Sequence, residues 1–320
     1  MHLRYVNRKQ FIKDYYNLLK KKGCISASDI RKLQEEIEEE ICRRRNLGKD
    51  YLQRQILIKE KYKPLHPELY KLKEKFLDPE FLSLVRQCRD WKKLAQFDST
   101  KILKQTTACH VYSLPVFTEQ FCKEFVEEIS HFEESEFPKG RPNTMNKYGV
   151  LLDELGFDEF VSRLRIEYLS HVTRVLYPDW GGDSLDSHKA FIVKYKKGED
   201  LDLGYHYDNA EITINISLGK EFTGGSLYFG DMHTVPIEET ECSEIMHTKM
   251  YGLIHRGQHM HGALPIRHGE RYNFIVWMRS SKVRNQLCPM CGNKPSLEET
   301  VGYGDGFTKN EGLVDVCAVH

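Results

Sequence analysis

The chain has 320 residues, of which 40% are hydrophobic and 29% are charged, and its 47 basic and 47 acidic residues give a formal net charge of zero. A chain of this length and composition can bury one sizeable core together with a smaller module. The balanced charge excludes a strongly basic or acidic protein, so we expect neither nucleic acid nor a membrane surface as a partner.

The N-terminus and the cysteines bear on the cellular compartment. Residues 1–6 lack the apolar run of a secretory signal, and no stretch reaches the roughly 18 apolar residues of a transmembrane helix. The nine cysteines are odd in number and scattered, which suits free thiols in a reducing compartment better than a disulfide framework. The sequence therefore predicts an intracellular protein, cytoplasmic or nuclear, without a membrane-spanning segment.

Residues 1–105 are predicted to be a charged, N-terminal helical region. Ser28 and Asp29 can cap a helix whose apolar stripe has helical spacing, with Ile30, Leu33, Ile37 and Ile41. Acidic residues precede basic ones along this segment, as the helix dipole favours. We interpret the region either as an amphipathic helix packed on the rest of the protein or as a docking module for a partner.

Residues 106–281 are predicted to form the main domain, in which strand and helix patterns follow one another. Val111–Phe117 is strand-like, and Thr118 can cap a helix with apolar residues at helical spacing. A second helix begins near Phe157 and is stopped by Pro178. The aromatic stripes of both helices are typical of a core.

The polar stretch between these helices, residues 139–148, is predicted to be a loop. Loops on a rigid scaffold often form the walls of a substrate site. One interpretation is therefore that Arg141 and Tyr148 contact a substrate. The other is an ordered connection with no role in binding.

A His-x-Asp motif at His206 and Asp208 is the first sign of a metal site. Side chains at positions i and i+2 of an extended segment leave the same side of the backbone, so both can reach one ion. The spacing alone is weak, since similar His-x-Glu pairs begin at His66, His131 and His268. Only the pair at His206 precedes strict alternation of polar and apolar residues over 211–218, which predicts a strand with a polar face inside a sheet or barrel.

The third metal ligand has to be chosen among His255, His259 and His261. We favour His261, because it precedes a glycine and a proline-containing loop and because Arg271 follows ten residues later. Arg271 starts a strand-like run in which Arg271, Asn273, Ile275 and Trp277 share a face. A buried arginine needs an anion, and a ligand carboxylate would serve where no acidic side chain does. Two imidazoles and one carboxylate leave about three positions open, as in non-haem Fe(II) oxygenases.

In the order of these residues, the stretch 114–278 resembles the prolyl 4-hydroxylase-type branch of the 2-oxoglutarate and Fe(II)-dependent dioxygenases. The stretches 141–152, 288–291 and 304–308 resemble one group within this family more closely still. The resemblance implies an α+β fold, with a double-stranded β-helix (jelly-roll) core, buttressing helices and the N-terminal helical region. It also implies that His206, Asp208 and His261 bind iron and that Arg271 pairs with the far carboxylate of 2-oxoglutarate.

The resemblance further implies the cofactors and the reaction. They are Fe(II), 2-oxoglutarate as cosubstrate and O2, with ascorbate as the reductant that restores over-oxidised iron. The reaction would convert 2-oxoglutarate and O2 to succinate and CO2 while hydroxylating a C–H bond, on a protein or peptide substrate at a prolyl or lysyl side chain. Tyr195, Asn215 and Thr213 would contact 2-oxoglutarate, although all three could instead be packing residues of the strands.

The C-terminal tail, residues 282–320, contains a possible zinc site. Cys288 and Cys291 form a C-x2-C pair, and Cys317 and His320 form a C-x2-H pair, which a tetrahedral zinc could use. The alternatives are reduced, partly buried thiols and a redox pair.

Two alternatives to the oxygenase hypothesis remain at this point. The fold could be a catalytically idle interaction module that binds iron and 2-oxoglutarate without turnover. It could also be a cupin-like metal protein with other chemistry, and Arg271 would then have an acidic partner within the chain.

Overall fold

The computed structural model describes residues 5–24, 26–90, 104–298, 306–309, 312–313 and 316–317. Two compact units are distinguished, one comprising Met1–Gln53 with Arg284–His320 and the other Arg54–Val283. The domain boundaries predicted near residues 105 and 281 stay predictions. No helix within the described ranges is both long enough and apolar enough to cross a membrane.

The helices are α1 (Arg8–Lys21), α2 (Ala27–Lys61), α3 (Pro79–Asp90), α4 (Glu119–Glu134), α5 (Leu152–Leu155), α6 (Asp158–Arg163), α7 (Ser170–Leu176) and α8 (Ser281–Arg284). A π-helical turn, Leu164–Leu169, connects α6 to α7. Short 3₁₀ turns lie at Pro67–Tyr70, Glu74–Phe76, Pro178–Trp180 and Ile237–Glu239.

The strands of the larger unit are β1 (Lys104–Gln105), β2 (Tyr112–Pro115), β3 (Gly149–Leu151), β4 (Ser187–Lys196), β5 (Leu203–His206), β6 (Ile212–Gly219), β7 (Phe222–Gly224), β8 (Leu227–Met232), β9 (Ser243–Ile245), β10 (Tyr251–Arg256), β11 (His259–Ala263) and β12 (Ile266–Arg279). The smaller unit has two short antiparallel pairs, β13 (Leu297–Glu298) with β16 (Val316–Cys317) and β14 (Thr308–Lys309) with β15 (Gly312–Leu313).

Two antiparallel sheets form the centre of the larger unit. The large sheet has the order β1-β2-β10-β6-β12-β4-β3, with β7 paired to the start of β12, and the small sheet has the order β5-β11-β8-β9. Several neighbouring strands are distant in sequence, such as β10 and β6, β6 and β12, and β5 and β11, as the connections of a jelly roll require. The predicted α+β fold with a jelly-roll core is therefore confirmed.

The alternation of β6 separates two hydrophobic clusters. Ile212, Ile214 and Ile216 belong to the cluster that includes the helices, whereas the next strand positions carry the polar residues Thr213, Asn215 and Ser217. A second cluster, with Phe191, Tyr195, Leu227, Phe229 and Ile275, fills the space between the sheets. Polar residues on the inner face of β6 thus lie beside apolar walls, which is where a site for a small ligand can form.

The helices of the larger unit begin and end close to the predicted positions. Thr118 caps α4, because its hydroxyl accepts a hydrogen bond from the Phe121 amide at 3.3 Å. The second helical segment runs from Asp158 to Leu176 through the π-helical turn and ends before Pro178. Both segments bury aromatic and aliphatic side chains in the cluster that covers the outer face of β6.

In the smaller unit, the start of α2 differs from the prediction. The helix begins at Ala27, and Ser26 accepts a hydrogen bond from the Asp29 amide at 3.0 Å, while the Asp29 carboxylate accepts one from the Ser26 amide at 3.2 Å. Ser28 was expected to cap the helix and instead lies inside it. The reciprocal pairing of Ser26 with Asp29 satisfies two end amides, and Ser28 has no such partner three residues on.

Candidate metal and cosubstrate site

Three predicted ligands lie together at the edge of the small sheet. His206 ends β5 and His261 lies in β11, and the two residues are directly opposite each other in the antiparallel pair. Asp208 follows β5, and its amide donates to the Gly257 carbonyl at 2.7 Å. The His206 Nε2 atom is 3.6 Å from one carboxylate oxygen of Asp208, and the His261 Nε2 atom is 3.7 Å from the other. One potential ligand atom from each side chain lies within 4.8 Å of the others.

The hydrogen bonds of both imidazoles leave Nε2 available to a metal. The Nδ1 atom of His206 is 2.7 Å from the Gly204 carbonyl, and that of His261 is 2.9 Å from the His259 carbonyl. A carbonyl can only accept, so each Nδ1 carries the proton and each Nε2 keeps its lone pair. The protein backbone thus sets the tautomer that a divalent metal requires.

The carboxylate of Asp208 is also fixed by a neighbour. The Thr213 hydroxyl donates to the Oδ2 atom of Asp208 at 2.7 Å. Burial by itself raises the pKa of Asp208, but His261 and His206 beside it hold that pKa well below its usual range. Burial lowers the pKa of His261 to about 4, so the ring favours the neutral form. Burial by itself lowers the pKa of His206, but the hydrogen bond and charge of Asp208 raise it above its usual value, so a metal would displace a proton from that ring. With both rings neutral, one carboxylate and two imidazoles form a set suited to a divalent cation.

The two alternative third ligands have other partners. The His255 ring contacts the His261 ring at 4.7 Å, and its Nδ1 atom donates to the Arg256 carbonyl at 2.8 Å. The His259 Nε2 atom is 2.7 Å from the Gly230 carbonyl, and neither residue joins the three-ligand group. Of the three histidines, only His261 therefore presents a free nitrogen within that group.

Arg271 is buried and surrounded by neutral acceptors. It is 1% exposed, and its Nε atom donates to Asn273 Oδ1 at 2.8 Å. Its Nη1 atom donates to the Gly225 carbonyl, and its Nη2 atom donates to His247 Nδ1 at 2.8 Å. No acidic side chain within the described ranges pairs with it, and burial lowers its pKa to about 10. The guanidinium has five N–H groups, of which these bonds use three.

The predicted cosubstrate residues occupy two different places. Tyr195 lies opposite Arg271 in the sheet, with its ring 5.6 Å from the guanidinium carbon, and burial raises its pKa to about 12. Asn215 accepts a hydrogen bond from Asn273 Nδ2 at 2.7 Å, so it is connected to Arg271 through Asn273. Thr213 contacts the metal-ligand candidate Asp208 rather than Arg271.

A single cavity contains the metal-ligand candidates and most of the other predicted residues. Its lining residues are Asn143, Phe191, Tyr195, Leu203, His206, Asp208, Thr213, Asn215, Leu227, His261, Gly262, Ala263, Ile275 and Trp277. The lining combines these polar side chains with apolar and aromatic ones. The cavity has a volume of about 20 Å³, room for about one water molecule, so its walls must move apart before a small polar ligand can enter.

Sequence reasoning missed three residues of this region. Asn273 carried a usable signal, because it shares a strand face with Arg271. Asn143 lines the cavity, whereas Arg141 and Tyr148 of the same loop are exposed and do not line it. His247 lies in the irregular segment before β10 and has no pattern that would have identified it.

The tail gives only part of the predicted zinc site. Cys288 is buried and Cys291 is half-buried. The Cys317 side chain and the whole of His320 lie outside the described residues. The four-ligand zinc site therefore stays a prediction.

The chemistry of the donors suits the two groups that the sequence predicts. Two imidazoles and a carboxylate on one side of a cavity fit non-haem Fe(II), which keeps further positions open for other ligands. A buried arginine with unused N–H groups and no acidic neighbour in the described part of the chain fits the second carboxylate of a dicarboxylate. That environment also contradicts the cupin-like alternative, which requires an internal acid at Arg271.

Comparisons with known proteins agree with this chemistry. Residues 58–182 match the OGFOD2-like domain. The zebrafish (Danio rerio) protein "2-oxoglutarate and iron-dependent oxygenase domain-containing protein 2" is 52% identical over 309 residues, which cover 96% of this chain and 89% of that protein. Human procollagen-lysine,2-oxoglutarate 5-dioxygenase 1 is 30% identical over 225 residues, which cover 65% of this chain and 28% of the enzyme.

Among solved structures, a Trichoplax adhaerens prolyl hydroxylase in complex with a hypoxia inducible factor oxygen degradation domain peptide fragment is similar to this chain. The alignment covers 66% of this chain and 97% of the other, with 13% sequence identity and a TM-score of 0.44.

Proposed function

Because the chain belongs to the family of 2-oxoglutarate and iron-dependent oxygenase domain-containing protein 2, we propose that it uses Fe(II), 2-oxoglutarate and O2 to hydroxylate a side chain of another protein. His206, Asp208 and His261 would hold the iron. Arg271, with Tyr195 and Asn215 near it, would hold the far carboxylate of 2-oxoglutarate. The family itself implies these three cofactors, whereas the residue roles and the substrate are our proposals.

One observation carries the proposal. A buried guanidinium with unused N–H groups and no acidic partner in the described ranges is joined to the metal cavity by two neighbours. Tyr195 is beside the guanidinium, Asn215 is bonded to it through Asn273, and both Tyr195 and Asn215 line the cavity. A dicarboxylate that binds the metal at one end would find its second anion site at the other.

Some residues of the cavity would orient the ligands, and others would exclude water. When bound, the iron supplies the oxidative chemistry, in which 2-oxoglutarate and O2 become succinate and CO2 and one oxygen atom enters a substrate C–H bond. Tyr195, kept protonated by burial, can donate its hydroxyl proton to a carboxylate. Phe191, Leu227 and Ile275 line the cavity with apolar surface that excludes water.

A prolyl or lysyl side chain of a protein is the substrate we propose. The name of the human procollagen-lysine relative supports a lysyl substrate for that enzyme, and the similarity extends over most of this chain. The apolar walls of the cavity suit the aliphatic part of either side chain. Ascorbate, as the reductant that restores Fe(II), belongs to the same proposal.

The cosubstrate site is tested by anaerobic titration of the purified chain with Fe(II) and 2-oxoglutarate. We expect the visible metal-to-ligand charge-transfer band of a chelated 2-oxo acid. His261→Ala should abolish the band, and Arg271→Ala should raise the Kd of 2-oxoglutarate by about tenfold to a hundredfold, because a charge-assisted pair is lost.

His268→Ala and Arg267→Ala are the matched controls, since both residues are exposed and lie close to Arg271 in sequence. They should leave the band and the Kd unchanged. A folded, metal-loaded protein without the band would contradict the assignment of the cosubstrate.

Turnover separates the enzyme from the catalytically idle module. Protein extracts would be incubated with the chain, Fe(II), 2-oxoglutarate, ascorbate and 18O2, and tryptic peptides would be searched for labelled hydroxyproline and hydroxylysine. We expect labelled peptides with the parent protein and none with Asp208→Ala. A parent that binds 2-oxoglutarate but labels nothing and forms no succinate would support the idle module.

A further inference from the structure

The way in which Arg271 is held has a consequence for ligand selectivity. Its three hydrogen-bond acceptors are the amide oxygen of Asn273, the backbone carbonyl of Gly225 and the imidazole Nδ1 of His247. All three are uncharged groups if the imidazole is neutral. Two of the five N–H groups of the guanidinium then remain for a ligand.

The environment of His247 keeps its imidazole neutral. The residue is 4% exposed, and its Nε2 atom is 3.0 Å from the Tyr251 carbonyl. Because a carbonyl only accepts, Nε2 carries the proton and Nδ1 presents a lone pair to Arg271. Burial and the nearby Arg271 charge lower the pKa of His247 to about 3. The ring therefore acts as a fixed acceptor at neutral pH.

A carboxylate in the place of His247 would behave differently. Arginine and carboxylate groups form strong paired hydrogen bonds, and a buried pair of this kind neutralises both charges. The positive charge of Arg271 would then be compensated from within the chain, and a ligand carboxylate would have to compete with it. A neutral acceptor fixes the direction of the guanidinium without this competition.

From these contacts we infer that His247 is a positioning residue, which orients Arg271 through an uncharged acceptor and so reserves the guanidinium charge for the second carboxylate of a 2-oxo acid. Through Arg271, His247 determines the preference for dicarboxylate over monocarboxylate cosubstrates. This inference rests on the proposed function of Arg271.

The experiment compares two 2-oxo acids of the same chain length. 2-Oxopentanoate has a methyl group where 2-oxoglutarate has its far carboxylate, so both can chelate iron but only one needs Arg271. The Kd of each is measured anaerobically from the charge-transfer band, and their ratio gives the selectivity. Binding of 2-oxopentanoate also reports whether the iron site of a variant is intact.

Three substitutions at His247 separate the possible roles. His247→Glu should lower the selectivity by about tenfold or more, since the new carboxylate pairs with Arg271. His247→Phe removes the acceptor. It should raise the Kd of 2-oxoglutarate by about tenfold and leave the Kd of 2-oxopentanoate unchanged. His247→Gln keeps a neutral acceptor and should keep the selectivity of the parent to within about threefold.

The control is His268→Glu, which adds a negative charge at an exposed position three residues before Arg271. It should leave the selectivity unchanged. If His247→Glu does not fold, the comparison of His247→Phe with His247→Gln decides the question through the same ratio.

The outcomes distinguish the inference from the proposed function. A parent that is selective together with an unchanged ratio in His247→Glu and His247→Phe overturns the inference alone. A parent with no preference for 2-oxoglutarate, unaffected by Arg271→Ala, overturns the proposed cosubstrate site and with it the inference. Variants that weaken both ligands by the same factor, and so leave the ratio unchanged, would indicate a merely structural role for His247 and also overturn the inference.

Discussion

At the scale of single residues, the functional atoms of the cavity are held by neighbours without charge. Backbone carbonyls orient His206 and His261, the Thr213 hydroxyl orients Asp208, and neutral acceptors orient Arg271. Uncharged partners fix geometry without cancelling the charges that a metal or an anion needs. This arrangement makes individual hydrogen bonds testable.

The hydrogen bond from Thr213 to Asp208 should contribute to metal affinity. Removal of such an outer partner typically weakens metal binding by about tenfold to a hundredfold, so Thr213→Val should raise the Kd of Fe(II) by at least that lower figure. Anaerobic calorimetric titration measures it. The control is Thr223→Val on the exposed strand β7, which should bind Fe(II) like the parent. Equal affinities in both variants would contradict a role for Thr213.

His247 should also make the stability of the metal-free protein depend on pH. Its folded pKa of about 3 lies below the unfolded value, so the neutral ring stabilises the fold fully above about pH 6.5, and this contribution is lost as the pH falls toward 3. The free energy of unfolding of the parent, relative to His247→Gln, should fall by about 3 kcal/mol between pH 7 and pH 4. Denaturant titrations at several pH values measure this difference, and a constant difference would contradict a buried neutral ring.

At the scale of elements, helix ends and strand faces account for most of what the sequence predicted. The alternation over 211–218 located β6 and its polar face, since a period of two is local information. Thr118 was predicted as a cap and caps α4, because a capping signal is also local in sequence. The predicted cap of α2 was wrong by two residues. Ser26 and Ser28 are both acceptable caps by residue type, and only the hydrogen bond between Ser26 and the Asp29 amide distinguishes them.

Contacts between segments that are distant in sequence could not be predicted from the sequence. The strand pattern placed Arg271 and Asn273 on one face of β12, but nothing in the sequence relates His247 to Arg271, which is 24 residues away. The choice of His261 over His255 and His259 was based on the glycine and the proline-containing loop after it and on Arg271 ten residues later, whereas the reason in the structure is the pairing of β5 with β11. Strand register depends on tertiary structure, so it cannot be predicted from the spacing of residues in a motif.

The cap of α4 gives a prediction at this scale. Thr118→Ala should lower the free energy of unfolding by about 1 kcal/mol, because the Phe121 amide loses its acceptor. Thr118→Ser keeps the acceptor, so its free energy of unfolding should fall by about 0.3 kcal/mol at most. Denaturant titration of both variants measures the effect, and an equal loss in the two would assign it to packing of the threonine methyl group.

At the scale of the larger unit, a buried carboxylate joins several elements. Glu128 of α4 is fully buried and accepts hydrogen bonds from the Tyr62 and Tyr70 hydroxyls at 2.8 Å and from the His66 amide at 2.7 Å. All four residues belong to the stretch that matches the OGFOD2-like domain. The network connects the segment after α2 to the helices that cover the large sheet.

Glu128→Gln should therefore destabilise the unit. The new amide NH2 group would face the hydroxyl or backbone N–H groups that now donate to Glu128. The free energy of unfolding should fall by about 2 kcal/mol, since a buried donor is left without an acceptor. The neighbouring Glu127→Gln is the control, because that side chain is exposed and should change the value by less than about 0.5 kcal/mol. Thermal and denaturant unfolding measure both, and similar stabilities would contradict a structural role for the network.

On the proposed assignment, the uncompensated charge of Arg271 also makes the stability of the protein depend on the cosubstrate. A buried cation without an anion lowers the stability of the protein, and a bound dicarboxylate relieves this penalty. By mass action, 2-oxoglutarate at a hundred times its Kd would add about 2.7 kcal/mol to the stability of the protein. A shortage of this metabolite in the cell would then shorten the lifetime of the protein as well as slow its reaction, so that protein abundance would follow central carbon metabolism.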